Sequence, residues 1–387
     1  MTTLAVQPDT RREPPLRIVI LGLTITSSWG NGHATTFRGL VRELAARGHD
    51  VLFLERDQPW YADNRDLPKP PYGRTRLYHS LRDLQSRFAS EIRDADLVVV
   101  GSFVPEGVAV GEWVTSRASG LTAFYDIDTP VTLARLARGQ ADYVSARLIP
   151  RYGLYLSFTG GPTLARIEGK YGARAARALY CGCDPSLYFP QPRKRRRWDL
   201  GFLGTYSADR QPVLDELLLQ PARQRPSRAF VVAGPQYPDT VAWPANVARI
   251  QHLPPDMHRA FYCAQRYTLN VTRADMVRAG WSPSVRLFEA AACGAPILSD
   301  AWQGLDSIFE VGREVLVVRQ ASDVLEVLED LGEDERLALG RRARERVLRA
   351  HTAAHRAAEL VGYARELLGS TRPRPAAGRV ARGVPSP

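Results

Sequence analysis

"SPSVRLFEAAACGAPILSD", Ser282 to Asp300, combines a helix start, a run of small residues, a Gly-Ala-Pro break and a strand. Ser282 is a good N-cap, Pro283 a good first helical residue, and Gly294 ends the helix. Ala290 to Ala292 let such a helix lie close to a sheet. One carboxylate, Glu289, falls on the same face as Val285, about two turns in. A buried carboxylate without partners is costly, so Glu289 needs them. Sugar or ribose hydroxyls would serve, and so would an internal pairing with Arg286 or another arginine. The free amides at the helix start make a place for a phosphate.

Around this stretch the chain alternates apolar runs with amphipathic segments. "RIVILGL" (Arg17 to Leu23) is a buried strand by length and Ile/Val content. Phe37, Leu40, Val41, Leu44 and Ala45 then recur at helical spacing, Gly48 stops the helix, and Val51 to Leu54 is the next strand. Further strands are predicted at 97–101, 121–125, 154–158 and 178–181. In the second half they are predicted at 199–203, 229–233, 248–252, 267–271, 296–299 and 315–318. The segments between are long enough for crossover helices, so the sheets should be parallel. Two doubly wound α/β domains joined by a hinge are the economical arrangement. Boundaries follow: a flexible start over 1–15, a first domain over 16–190, a basic linker over 191–198 and a second domain over 199–350. Residues 351–370 are expected as a C-terminal helix, and 371–387, without apolar periodicity, as a disordered tail.

The 387 residues are 44% hydrophobic, enough for two medium cores. No apolar run reaches the roughly eighteen residues of a membrane span, and the start lacks the apolar core of a signal peptide, which predicts a cytoplasmic protein. Cys181, Cys183, Cys263 and Cys293 are too few for a disulfide framework, and nothing near Cys181 and Cys183 completes a zinc site. The formal net charge of +11 permits an anionic partner, including an acidic membrane surface. The dense run Arg193 to Arg197 has no interleaved aromatics, which argues against a single-strand nucleic-acid platform.

Ligands of open parallel sheets bind outside the carboxyl ends of the strands. That rule selects Gly30, Asn31 and Gly32 with His33 after the first strand, and "DIDTP" with Asp126 and Asp128 after the fourth of those predicted for the first half. It also selects the loop from Gly204 to Arg210 and the loop from Asn270 that holds Arg273. Two such edges facing across a hinge make a cleft. His33 could take a proton from an acceptor hydroxyl near neutral pH, or simply cap a helix. Asp126 and Asp128 could hold a divalent cation against a diphosphate, but they lie away from the Ser282–Asp300 half. A base or hydroxyl ligand on the acceptor side, and a strand-end Asp bonding loop amides, are the remaining readings.

"SVRLFEAAACGAPILSD" resembles the helix-strand signature of nucleotide-sugar-dependent glycosyltransferases with two facing Rossmann-like domains, the GT-B fold, in their CgeB-type, spore-maturation-like branch. "GNGHATTFRGLVRELAARGHDVLFLERD", "GCDPSLYFP" and "LNVTRADM" are similar to that fold's first loop and helix, interdomain segment and donor domain. The resemblance covers roughly Leu16 to Gly369. It implies that Glu289 holds the donor's ribose hydroxyls and that amides of Ser282 to Val285, including Ser284, face its diphosphate. It places Gln251 to Pro254, with Leu253, near the base, and makes Arg210 or Arg273 a phosphate ligand. Many relatives carry a sugar-contacting Glu at the position of Trp281, whose indole could instead stack a sugar. The resemblance also implies that the helix over 351–370 crosses back to the first domain.

The expected activity is transfer of a sugar from a nucleoside-diphosphate sugar to an acceptor hydroxyl of a glycan, lipid or small molecule, with no metal and no cofactor beyond the donor itself. A nucleotide-sugar 2-epimerase and a non-catalytic basic scaffold on the same fold are the alternatives. A nicotinamide enzyme is a third, since Gly30, Gly32 and Glu55 mimic a dinucleotide loop, although Thr35 stands where its third glycine should be.

Overall fold

The computed structural model describes residues 14–29, 32–191 and 196–371. Gly30 and Asn31, residues 1–13 of the predicted flexible start, 192–195 of the linker and 372–387 of the predicted tail lie outside them. The first half contributes β1 (Arg17–Gly22), β2 (Asp50–Arg56), β3 (Arg74–Tyr78), β4 (Leu97–Gly101), β5 (Leu121–Asp126), β6 (Leu154–Ser157) and β7 (Ala176–Ala178). They form one parallel sheet in the order β3-β2-β1-β4-β5-β6-β7, with Ile18 in register with both Val51 and Leu97. The second half adds β8 (Trp198–Leu203), β9 (Phe230–Ala233), β10 (Val247–Ile250), β11 (Gln265–Asn270), β12 (Ile297–Ser299) and β13 (Leu316–Val317). Their order, β10-β9-β8-β11-β12-β13, repeats the same parallel winding.

Central strands such as LVVVG in β4 are buried on both faces, as parallel sheets under helices require. Each such aliphatic side chain removes apolar area worth about 1.5–3 kcal/mol. The order reverses between β1 and β4 and again between β8 and β11, so each sheet opens a crevice at its carboxyl edge. Those two crevices face each other. The last helix, Ala353–Thr371, buries Ala357, Leu360, Val361 and Ala364 in the first domain's core beside Phe37 and Leu40.

Three sequence expectations are corrected. β3 was not foreseen, because RTRLY at a sheet edge alternates exposed arginines with half-buried residues and lacks an apolar run. The strand predicted at 178–181 lies at 176–178, since Cys181 to Cys183 already leave the sheet, Cys183 bridging to Thr352. The helix of the Ser282–Asp300 stretch runs from Val285 to Ala292 with Ser284 as N-cap. Ser282 and Pro283 are drawn away from it. Ser282 Oγ accepts a hydrogen bond from Thr159 Oγ1 of the other domain at 2.9 Å, and the Pro283 carbonyl accepts from Cys181 Sγ.

The four cysteines are free and buried, and burial pushes the Cys181 and Cys183 thiols up to about 12. Among the described residues no group of three or more His, Cys, Asp or Glu is placed to hold a metal ion, and no helix is long and apolar enough to cross a membrane.

Candidate functional site

Glu289, the fifth residue of its helix, is 3% exposed and borders a cavity of about 250 Å³ lined by residues of both domains. Its Oε2 accepts a hydrogen bond from Tyr262 Oη at 3.1 Å and lies 3.6 Å from His258 Nδ1. Tyr188 Oη also lies against this carboxylate. The pairing with Arg286 that the sequence offered does not form. That guanidinium turns away instead, donating to the Leu203 and Asn270 side of the sheet edge through Nε to Leu203 O and Nη1 to Asn270 Oδ1. Asn270, at the end of β11, also accepts from Ser284 Oγ at 2.8 Å, so one buried amide pins both the helix start and Arg286.

The floor of the cavity is backbone. Gly234 has φ +139°, and a Cβ there would stand 2.1 Å from the Gly204 carbonyl oxygen. A Cβ on Gly204 would in turn stand 2.8 Å from Arg286 Nη2. Val285 and Leu253 line the walls, and the Leu253 carbonyl faces His258 Nε2 at 3.1 Å. Cations gather beside it. Arg286 and Arg210 both lie against the Phe202 ring, 4.5 and 5.7 Å from its centroid. Burial, and then the charge of Arg286, hold Arg210 down at about 10; burial also lowers Arg286. Guanidiniums that burial and one another both disfavour gain from an incoming anion. Arg273 Nη1 is 3.8 Å from Asp128 Oδ2, and its Nε has no hydrogen-bond partner among the described residues.

From the first domain, Ser28, Gly32 and Thr35 reach the same cavity. His33 opens the helix His33–Ala46 beside them, its ring edge-on to Phe103 at 5.3 Å. Burial lowers it to about 4, so the imidazole is neutral at pH 7. Asp128 stands at the domain interface as the N-cap position of the helix Thr129–Ala137, and burial raises its pKa against the pull of Arg273. Asp126 is elsewhere in chemical terms. It is fully buried under the strand end, accepting from Tyr155 Oη, Thr132 Oγ1 and the Asp128 amide. Its oxygens face these groups, and it is not among the residues lining the cavity beside Glu289.

Residues 210–362 match the family model described as glycosyl transferase-like. No curated protein matches the chain in sequence. Solved structures similar to it include a sucrose-phosphate synthase from Thermosynechococcus elongatus, 16% identical, with 92% of this chain and 99% of that one covered at a TM-score of 0.66. Anabaena HepE in complex with UDP and glucose is 13% identical over 90% and 99% of the two chains, at 0.68. An α,α-trehalose-6-phosphate synthase from Burkholderia multivorans is 12% identical over 93% and 100%, at 0.62. The fold is GT-B. The family match lies in the second half of the chain, and the solved structures share the fold of both halves.

Within the GT-B frame Trp281 belongs to the joint between domains. A Cβ on Gly161 of the first domain would stand 2.4 Å from the indole, and one on Gly304 2.5 Å, so glycines are needed at both places for the ring to fit. Trp281 itself has φ +42°, unusual for a bulky residue, and its carbonyl accepts from the Gly160 amide across the interface at 2.9 Å. The indole is not among the cavity's lining groups. Glu55, the residue behind the dinucleotide alternative, is fully buried and saturated: it accepts from the Ile25 and Thr26 amides and from Thr26 Oγ1. It holds the first loop's shape and has no oxygen facing a ribose. His258, Tyr262 and Asn270 were missed as site residues. The signal for the first two was present, as a His and a Tyr four apart on one helix, just after the segment expected near the base.

Proposed function

We propose that this GT-B protein is a glycosyltransferase of the CgeB-type branch that takes its sugar from a nucleoside-diphosphate donor bound in the second domain. The observation that carries the proposal is Glu289. A buried carboxylate held by Tyr262 and flanked by His258 at the edge of an interdomain cavity is suited to accept hydroxyls of a ribose. The helix start at Ser284 and Val285, with Arg210 and Arg273, is suited to a diphosphate, since amide dipoles and guanidiniums both favour negative charge there. Leu253 and its neighbours stand at the far wall for the base. The first domain presents an acceptor hydroxyl near His33 and Asp128. Asp128, made more basic by burial, takes the proton as the acceptor oxygen bonds to the anomeric carbon and the diphosphate leaves. Arg210, Arg273 and the helix dipole stabilise that leaving charge, so the reaction needs no metal ion in this reading. The work would be done in the cytoplasm, with the acceptor in solution or at an anionic membrane face.

The test is a binding panel of UDP, GDP, dTDP, CDP and ADP, read by calorimetry on wild type and Glu289→Ala. UDP comes first because structures of the similar Anabaena HepE contain it. One nucleotide should bind, and the variant should lose about tenfold or more of that affinity, the usual scale for a lost charged hydrogen bond. Equal binding by both proteins would move the donor away from Glu289.

A further inference from the structure

His258 sits on the helix Pro255–Cys263 between two groups that the preceding proposal assigns to different parts of one nucleotide. Its Nε2 is 3.1 Å from the Leu253 carbonyl oxygen, which can only accept, so Nε2 carries a proton. Its Nδ1 is then the open position, 3.6 Å from Glu289 Oε2 and 3.5 Å from Tyr188 Oη. In a neutral ring Nδ1 would turn a lone pair toward a carboxylate. In the imidazolium both nitrogens donate, and every contact is favourable.

We infer that His258, as an imidazolium, is a positioning residue that ties the base-contacting loop at Leu253 to the ribose-binding carboxylate of Glu289. It faces the same carboxylate oxygen to which Tyr262 donates, and Glu289 borders the cavity where a ribose hydroxyl would bind. One ring thereby sets the distance between base wall and ribose site, and it offsets part of a buried charge that would otherwise be unpaired. The inference rests on the donor site proposed above. Burial pulls the His258 pKa down, but the hydrogen bond and charge of Glu289 outweigh it and leave the pKa above its ordinary value. The other groups facing the ring are Tyr188 from the interdomain segment and Asp256 and Tyr262 from its own helix. His252 and Arg286 line the same cavity. A group with a raised folded-state pKa contributes below its ordinary value and loses that contribution as pH climbs through the raised one. Because the imidazolium is the form that ties Leu253 to Glu289, donor affinity should fall with it toward alkaline pH.

The experiment measures dissociation constants of UDP-glucose, GDP-mannose, ADP-glucose and dTDP-glucose from pH 6 to 8.5, a range in which their diphosphates do not titrate. Wild type, His258→Gln and Glu289→Gln are compared. The wild type should bind its donor about tenfold more tightly at pH 6 than at pH 8.5, and His258→Gln should be weak and flat across the range. A sloping profile in His258→Gln, or a flat one in wild type, overturns the role of His258. The wild-type profile decides alone if the variant does not fold. If Glu289→Gln weakens binding and His258→Gln leaves strength and slope untouched, this inference fails and the donor site stands. If no nucleotide sugar binds, or Glu289→Gln changes nothing, the donor site itself is wrong and His258 falls with it.

Discussion

Asp126 and Glu289 are both buried carboxylates at the carboxyl edge of a sheet, and their neighbours give them different uses. Asp126 has both oxygens taken by Tyr155, Thr132 and a loop amide. Glu289 borders the cavity between the domains. Burial raises Asp126 to about 6, so the folded protein holds its proton more tightly than the unfolded chain. Its contribution to stability is full below pH ~4 and is lost as pH rises through about 6, a change of roughly 3 kcal/mol. Urea unfolding of wild type and Asp126→Asn at pH 4 and pH 7 should diverge by roughly that amount, with nucleotide affinity unchanged. Parallel stabilities at the two pH values would mean that Asp126 is ionised and solvated. From sequence, Asp126 and Asp128 were equal candidates two residues apart. What separates them is Tyr155 and Thr132, brought in by a neighbouring strand and the next helix turn, and no spacing rule reveals that.

At the scale of elements, the helix Val285–Ala292 shows what was legible and what was not. Its alanines announced close packing, and Ala290, Ala291 and Ala292 are indeed fully buried. The partner was hidden. Gly340, inside the charged helix Glu333–Ala350, lets that helix approach so closely that a Cβ would stand 2.3 Å from the Gly294 carbonyl oxygen. Gly340→Ala should therefore destabilise by about 1–3 kcal/mol through overpacking, despite a helix-propensity gain of about 1 kcal/mol. Chemical denaturation checks the sign, and a stabilised variant would show that the two helices can part at no cost. The N-terminus of the donor-side helix was misplaced for a related reason. Ser282 and Pro283 carry strong local start signals, and a contact to a residue more than a hundred positions away overrides them.

For the whole molecule, the two sheets were legible because their strands are long apolar runs separated by crossover lengths, and both were expected as parallel and doubly wound. The way the sheets face each other was not. The joint is made by Thr159 with Ser282, Gly160 with Trp281, and Asp128 with Arg273, all pairs that join residues of different domains. Trp281 packs at this joint, and in the reading proposed above Glu289, Arg210 and Arg273 hold the donor. The central claim is that the cavity between the domains moves a sugar off a nucleoside diphosphate. Proton and phosphorus NMR of nucleotide sugars incubated with the wild-type protein tests it most directly. The expected result is loss of one donor's anomeric signal with release of the matching nucleoside diphosphate, slow to water and faster when an acceptor is supplied, and absent with Glu289→Ala. Conversion of the donor to its C2 epimer, or a donor that binds and returns unchanged with every acceptor offered, would contradict it.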